Sequence, residues 1–265
     1  MDKDAIISVR NLTAGYGSHR VLSDLSIDFT KGRITTIVGG SGCGKSTLLK
    51  CIVGLLAPWS GEVTINNQIL ADLDEYELAQ ALSRVGMLFQ QGAMLNSITV
   101  AENIALPLTV HTNLSRDVID KIVQLKLDLV GLGHTGKMLP SELSGGMRKR
   151  AALARAMALD PEVLLCDEPS AGLDPQTAAD LDALILNLKN TFKMTVIVVT
   201  HELASIDAIA DDVVFLGHGG FLHYSGTLEG AKASSNQAVA NFFARRLPGM
   251  PAGAKSLLDV LQEGG

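Results

Sequence analysis

Gly39-Gly40-Ser41-Gly42-Cys43-Gly44-Lys45-Ser46-Thr47 fits the pattern G-x-x-x-x-G-K-[ST]. Upstream lies Arg33-Ile34-Thr35-Thr36-Ile37-Val38, a β-branched apolar run that reads as a buried strand; downstream, residues 48–56 follow a helical pattern. Strand, glycine loop and helix, in that order, form the context that separates a phosphate-binding loop from a chance match. Glycines let consecutive backbone N–H groups turn inward around an anion, and the helix N-terminus adds partial positive charge. Lys45 can then reach the β- and γ-phosphates as a point charge, and the Ser46 hydroxyl is suited to ligate Mg²⁺. The stretch predicts a nucleoside triphosphate site.

Outward from that loop, residues 6–12 and 21–29 alternate apolar and polar positions around Gly15-Tyr16-Gly17-Ser18, which predicts an antiparallel β-layer. Residues 61–66 read as another strand closed by an Asn66-Asn67 turn, residues 75–83 as a helix, and residues 85–89 as a short strand ending on Gln90. Residues 85–101 carry no charge but include Gln90, Gln91, Asn96 and Ser97, and the stretch is either interior or a docking surface; its glycine, amides and methionine favour docking, around Met94 and Leu95. Residues 114–129 are helical in pattern with a charged face. An alanine-rich helix over 148–159 leads to a buried strand over 162–166 that delivers Asp167-Glu168-Pro169. A helix over 175–189, a strand over 194–200 delivering His201, and a hairpin of 213–216 with 221–225 complete the pattern. Alternating strands and helices, several continuously apolar, predict a P-loop α/β fold with a parallel sheet. The stretch 91–158, helical without strands, is expected to be an inserted helical subdomain.

Length and composition bound the function. At 265 residues the chain can bury a substantial core. Hydrophobic residues make up 47%, yet no apolar run approaches the roughly 18 residues that a membrane-spanning helix requires. Met1-Asp2-Lys3-Asp4 is charged in both signs and no signal-peptide core follows, an arrangement expected of a cytosolic chain. A net charge of −6 gives no general attraction to nucleic acid. Cys43, Cys51 and Cys166 lack the spacing of a zinc site and read as small buried residues.

Four apolar runs thus end in polar groups: the glycine loop, Gln90, Asp167-Glu168 and His201. Ligands of open α/β sheets bind beyond the carboxyl ends of strands, so these ends are expected to converge on one nucleotide. Adjacent strand residues face opposite sides. Asp167 would therefore hold Mg²⁺ through water while Glu168 faces the water attacking the γ-phosphate. Gln90 would complete the metal shell, and His201 would either bond the γ-phosphate or orient Glu168. Read singly, paired acids also serve as helix caps and a lone histidine as a structural group. Tyr16, flanked by glycine, reads either as a stacking platform for a purine or as an exposed loop ring. Ser144-Gly145-Gly146, opening a helix, forms a second anion-binding turn or an ordinary cap. Two phosphate clamps on one chain fit a two-fold dimer in which each copy completes the other's site.

This ordered set resembles the ATP-binding-cassette family over about residues 6–226. The resemblance makes Tyr16 the A-loop, Gly39, Gly40, Ser41, Gly42, Cys43, Gly44, Lys45, Ser46 and Thr47 the Walker A loop, and Gln90 the Q-loop. It makes Leu143, Ser144, Gly145, Gly146 and Met147 the signature, and residues 163–168 Walker B. Ser170, Ala171, Gly172, Leu173 and Asp174 become the D-loop, and His201 the H-loop. It implies an ATPase using ATP and Mg²⁺, with two nucleotides held between Walker A of one copy and the signature of the other. Met147 departs from the family pattern, where glutamine is usual. That variant, with Phe89-Gln90-Gln91-Gly92-Ala93-Met94-Leu95 and Arg150-Ala151-Ala152-Leu153-Ala154-Arg155-Ala156, is similar to the ATPases of MCE-type phospholipid transport systems. Such a likeness implies an inner-membrane permease, a periplasmic MCE protein and a small STAS-domain protein as partners, with the chain on the cytoplasmic face.

Other uses of the cassette are a division regulator of FtsE type, disfavoured by Met147 and the tail, and a small-solute importer subunit. Chromosome and repair ATPases would carry a coiled coil between loop and signature, and translation factors two cassettes. Residues 1–226 are expected to form the cassette and 227–265 a C-terminal helical extension. In that extension the pattern predicts either a frayed surface tail or an amphipathic helix over 236–247, with Phe242 and Phe243 inward and Arg245-Arg246 at its end. Pro248-Gly249-Met250-Pro251 breaks it ahead of an apolar segment at 256–262.

Overall fold

The computed structural model describes residues 4–244. β1 (Ala5–Tyr16) and β2 (His19–Thr30) form a long antiparallel hairpin whose inward residues, among them Ile7, Val9, Leu22, Leu25 and Phe29, are fully buried. β3 (Ile34–Gly39) and α1 (Lys45–Ile52) flank the glycine loop as its pattern predicts. β4 (Ser60–Ile65) and β5 (Gln68–Ile69) meet through Asn66 and Asn67, both at positive φ, as a tight two-residue hairpin turn requires. β4 pairs with β1, so the first sheet runs β2-β1-β4-β5.

α2 (Glu75–Ser83) opens in a reciprocal capping box between Asp74 and Glu77 and leads into β6 (Val85–Leu88). Three helices then follow with no intervening strand: α3 (Val100–His111), α4 (Arg116–Leu129) and α5 (Gly145–Ala156). α3 is not singled out by the sequence pattern, although Thr99 and Glu102 carry a capping-box signature and both reciprocal bonds form. α5 starts three residues earlier than the alanine-rich stretch suggests, because Ser144 caps it. β7 (Val163–Asp167), α6 (Pro175–Phe192), β8 (Thr195–Val199), α7 (Leu203–Ile209), β9 (Asp212–Leu216), β10 (Leu222–Thr227), α8 (Leu228–Lys232) and α9 (Gln237–Phe243) complete the described chain.

The second sheet has the order β10-β9-β3-β8-β7-β6, parallel throughout except for β10. Its strands are apolar on both faces because both are covered. Ile37, Val163, Leu165, Ile197 and Val199 face the first sheet and α1 residues Leu48, Leu49 and Ile52. Leu164, Cys166, Val196 and Val198 face the other way, toward the alanine face of α5 and the α6 residues Leu181 and Ile185. α3 and α4 pack onto α5 on that side. The two sheets are tied where the Gly219-Gly220 turn meets β2: the Ser23 N–H donates to Gly220 O at 3.2 Å and its hydroxyl to Gly219 O at 2.9 Å. In α9, Phe242 meets Phe215 edge-on at 5.5 Å between ring centroids, so the inward placement of this residue agrees with the sequence pattern. Arg245-Arg246, the Pro248–Pro251 break and the segment at 256–262 lie outside the described residues.

Candidate active site

Register brings the polar strand ends together. Val199 aligns with Ile37 of β3 on one side and with Asp167 of β7 on the other, and Cys166 aligns with Leu88 of β6. Gly39, His201, Glu168 and Gln90 therefore all emerge at one edge of four adjacent strands. A cavity of 380 Å³ opens there, with Ser41, Lys45, Ser46, Gln90 and Glu168 among its walls.

Gly39 turns the chain out of β3 at φ +147°, where a Cβ would lie 2.2 Å from the carbonyl oxygen of Leu216 and 2.7 Å from Cys43 Sγ. The close approach of β9 thus excludes any side chain at the start of the loop. Gly39→Ala is expected to lower stability by about 1–3 kcal/mol, or roughly 2–12 °C in thermal midpoint, readable by calorimetry. Lys45 Nζ donates to Gly39 O at 2.9 Å and Gly40 O at 3.1 Å, so its ammonium sits over the loop itself.

Ser46 Oγ donates to Asp167 Oδ1 at 3.1 Å, joining the first turn of α1 to the end of β7. The pair offers hard oxygens from one hydroxyl and one carboxylate. That set suits Mg²⁺, which keeps waters and shares substrate phosphates instead of filling an all-protein cage. No cluster of three acidic, histidine or cysteine side chains occurs among the described residues, in keeping with such a sparse site. Gln90 is exposed and lines the rim of the cavity.

Glu168 differs from the strand-alternation expectation. β7 ends at Asp167, and Glu168 adopts φ +48°, so a backbone turn and not the pleat aims its side chain. His201 Nδ1 lies 2.9 Å from Glu168 Oε1. An ionised carboxylate oxygen only accepts, so against it Nδ1 is the donor, and this contact is the one that the orienting alternative for His201 would use. The other oxygen, Oε2, is buried without a hydrogen-bond partner among the described residues. A buried unpartnered carboxylate oxygen beside a phosphate-sized cavity is an acceptor in waiting.

Tyr16 leaves the β-layer with its ring 46% exposed, and Lys50 Nζ bonds its hydroxyl at 3.3 Å. The three cysteines are buried and free. Burial raises the Cys43 thiol and pushes Cys51 up to about 11, which disfavours the thiolate at both.

At the second turn, Ser144 Oγ accepts from the Met147 N–H at 3.3 Å, the bond of an N-cap. Gly145 and Gly146 follow as the first residues of α5, with free helix-terminal donors. A Cβ on Gly146 would lie 2.6 Å from Thr177 Cγ2, so part of its requirement is packing against α6. Met147 is half-buried against the helical core. Ser170 is buried, Gly172 turns at φ +79°, and Asp174 caps α6 by accepting from the Thr177 N–H at 3.1 Å. Leu173 packs against the core and Ala171 N–H donates to Glu168 O at 3.2 Å, tying this turn to the carboxylate's own peptide.

Two residues escape the sequence reading. Lys149 is buried on the inner face of α5 and donates to the carbonyls of Gln90 and Glu168. A charged residue three and four positions before the buried Ala152 and Leu153 is the signal that could have found it. Asn103, fully buried in α3, donates to Leu95 O at 3.0 Å and accepts from Leu95 N–H at 2.7 Å. It fixes the loop so that Leu95 is exposed, whereas Met94 turns inward against the core. Of the two residues around which a docking surface is expected, Leu95 is thus exposed and Met94 half-buried.

The ABC transporter family model matches residues 22–171. The chain is 44% identical over 206 residues to the intermembrane phospholipid transport system ATP-binding protein MlaF of Haemophilus influenzae, covering 78% of each chain. It is 40% identical over 216 residues to the probable ribonucleotide transport ATP-binding protein mkl of Mycobacterium leprae, covering 82% of this chain and 62% of that one. Among solved structures, it is similar to the dimeric ATP-binding cassette MJ0796 in a post-hydrolysis state bound to ADP and phosphate. There the TM-score is 0.76 at 30% identity, covering 84% of this chain and 98% of the other.

Proposed function

Because this chain belongs to the ABC transporter family, as an ATP-hydrolysing subunit that uses ATP with Mg²⁺, we propose that it powers phospholipid trafficking between inner and outer membranes. In this reading it serves an Mla-type system that maintains outer-membrane lipid asymmetry. The observation that carries the reading is the 44% identity with the Haemophilus protein. The Leu-Ser-Gly-Gly-Met signature supports it. The mycobacterial likeness favours a second reading, an importer subunit for a small solute.

The proposed assembly contains two copies of the chain, supported by the dimeric cassettes of the same fold. It adds an MlaE-like permease in the inner membrane, an MlaB-like STAS protein and an MlaD-like MCE protein. No helix among the described residues is long and apolar enough to cross a membrane. In the proposed assembly the chain sits peripherally, on the cytoplasmic face, held by the permease. Residues 1–226 are proposed as the cassette, with its helical part at 91–158, and residues 227–265 as a C-terminal extension.

In the proposed site the loop amides of residues 39–47 and Lys45 hold the phosphates, and Tyr16 stacks on the base. Ser46, Gln90 and, through water, Asp167 would hold Mg²⁺, which would supply positive charge against that of the transferring phosphoryl group. Glu168 takes the proton of the attacking water on its unpartnered oxygen while His201 fixes the carboxylate's rotation. Leu143 to Met147 of the second copy close over the nucleotide, with Ser170 to Asp174 lining the seam.

Purifying the native complex tests the transport reading: phospholipid co-extracted with a permease and an MCE protein is expected, and a complex lacking both overturns it. Leu95→Asp in the same preparation is expected to reduce recovery of the permease about tenfold while ATP binding by the isolated chain stays unchanged. Normal recovery would remove Leu95 from the docking surface.

A further inference from the structure

Helix α5 carries three cations that act on backbone and not on acidic side chains, and the first, Arg148, donates to Leu143 O at 2.9 Å, just ahead of its own helix. Arg155 donates to Ala93 O at 2.6 Å and to Gly92 O at 2.9 Å. Lys149, only 8% exposed, donates to Gln90 O and, at 3.3 Å, to Glu168 O. An ammonium is costly to bury, so a side chain needed only for packing here would be apolar. Burial draws the Lys149 pKa down, with Cys166, Asp167 and Glu168 acting in the opposite sense.

We propose that Lys149 is a positioning residue for hydrolysis: it clamps the peptides of Gln90 and Glu168 together so that carboxamide and carboxylate face one cavity. The inference rests on the reading of Glu168 as the base. Glu168 sits at φ +48°, a conformation disfavoured for a residue with a Cβ, which persists only where its surroundings over-determine it. Its N–H donates to Val199 O at 2.9 Å, and its carbonyl accepts from Ala171 N–H at 3.2 Å and from Lys149. Of these three partners of the peptide, Lys149 is the one side chain, hence the one that substitution removes without altering the main chain. The same ammonium reaches the carbonyl of Gln90, at the end of a different strand. Because Lys149 lies five residues beyond Ser144 on one helix, a shift of α5 at its N-terminus is carried directly to both peptides.

The test uses the full chain with Mg²⁺ and ATP. Lys149→Met keeps the length of the side chain and removes the donor; Lys149→Arg keeps the charge. Lys149→Met should lower kcat by about 10- to 100-fold, the scale of a small misplacement of a catalytic group, with KM for ATP within about twofold. Its thermal midpoint should stay near that of the parent, and an ATP-bound dimer should accumulate on size-exclusion chromatography. Lys149→Arg should recover most of the rate. Three results would overturn the role: a Lys149→Met kcat within about twofold of the parent, a fall accompanied by a lower midpoint and no trapped dimer, or an arginine variant as slow as the methionine one. Glu168→Gln, measured alongside, separates the failures. Normal turnover there sinks the reading of Glu168 as base, whereas an inactive Glu168→Gln beside a normal Lys149→Met sinks only the role of Lys149.

Discussion

Glu168→Gln is expected to lower kcat for ATP hydrolysis by about 100- to 10,000-fold, the usual range for loss of a general base. Glutamine keeps the shape and can still accept from His201 through its carbonyl oxygen, so the cavity and its entrance are preserved. ATP affinity should therefore change little, because the loss falls on the transition state and not on ground-state binding. A dimer that forms with ATP and fails to dissociate is the accompanying result, and equilibrium binding with single-turnover kinetics reads both. Unchanged turnover would strip Glu168 of the role, and its buried Oε2 would then be a structural orphan with no use.

Ser144→Arg is expected to leave ATP binding by the single chain intact while abolishing ATP-driven dimerisation, with hydrolysis falling on the order of 100-fold or more. Within its own chain Ser144 only caps α5, and losing a cap costs about 1 kcal/mol, far too little to empty a nucleotide site. Ser144→Gly separates the two effects, since glycine caps nearly as well but offers no hydroxyl. If Ser144→Arg also abolishes binding by the single chain, the assignment of this turn to the opposite copy's nucleotide is wrong. Sedimentation with and without ATP distinguishes the cases.

Much of this architecture is legible in the amino-acid sequence because loops and strand ends obey local rules. The run from Arg33 to Thr47 announces strand, loop and helix in that order through β-branching, glycine and a terminal lysine, although α1 starts at Lys45, inside the motif, and ends at Ile52 instead of continuing to residue 56. Asn66-Asn67 and Asp74 mark a hairpin and a helix start for equally local reasons. Other features depend on partners remote in sequence. The carboxylate of Glu168 is aimed by a left-handed turn held by Val199, Ala171 and Lys149, so strand periodicity misjudges its origin. Met94 and Leu95 look alike in an uncharged stretch, and only the bonds made by Asn103 decide which of them faces out. α3 eludes the pattern because its face is almost uniformly apolar and Pro107 interrupts it, leaving the Thr99–Glu102 box as its clearest mark.

The Gly219-Gly220 turn holds the edge of the β1–β2 hairpin against the sheet that bears the glycine loop. The ring proposed to meet a purine and the cradle proposed to meet its phosphates are thereby parts of a single chassis. A nucleotide lying across it spans a fixed gauge from base to phosphate. Cleavage of the terminal bond would shorten the nucleotide without changing that gauge, so in the proposed dimer the mechanical consequence of hydrolysis would be felt on the free side of the site, where the opposing copy's α5 is proposed to meet the end of the phosphate chain.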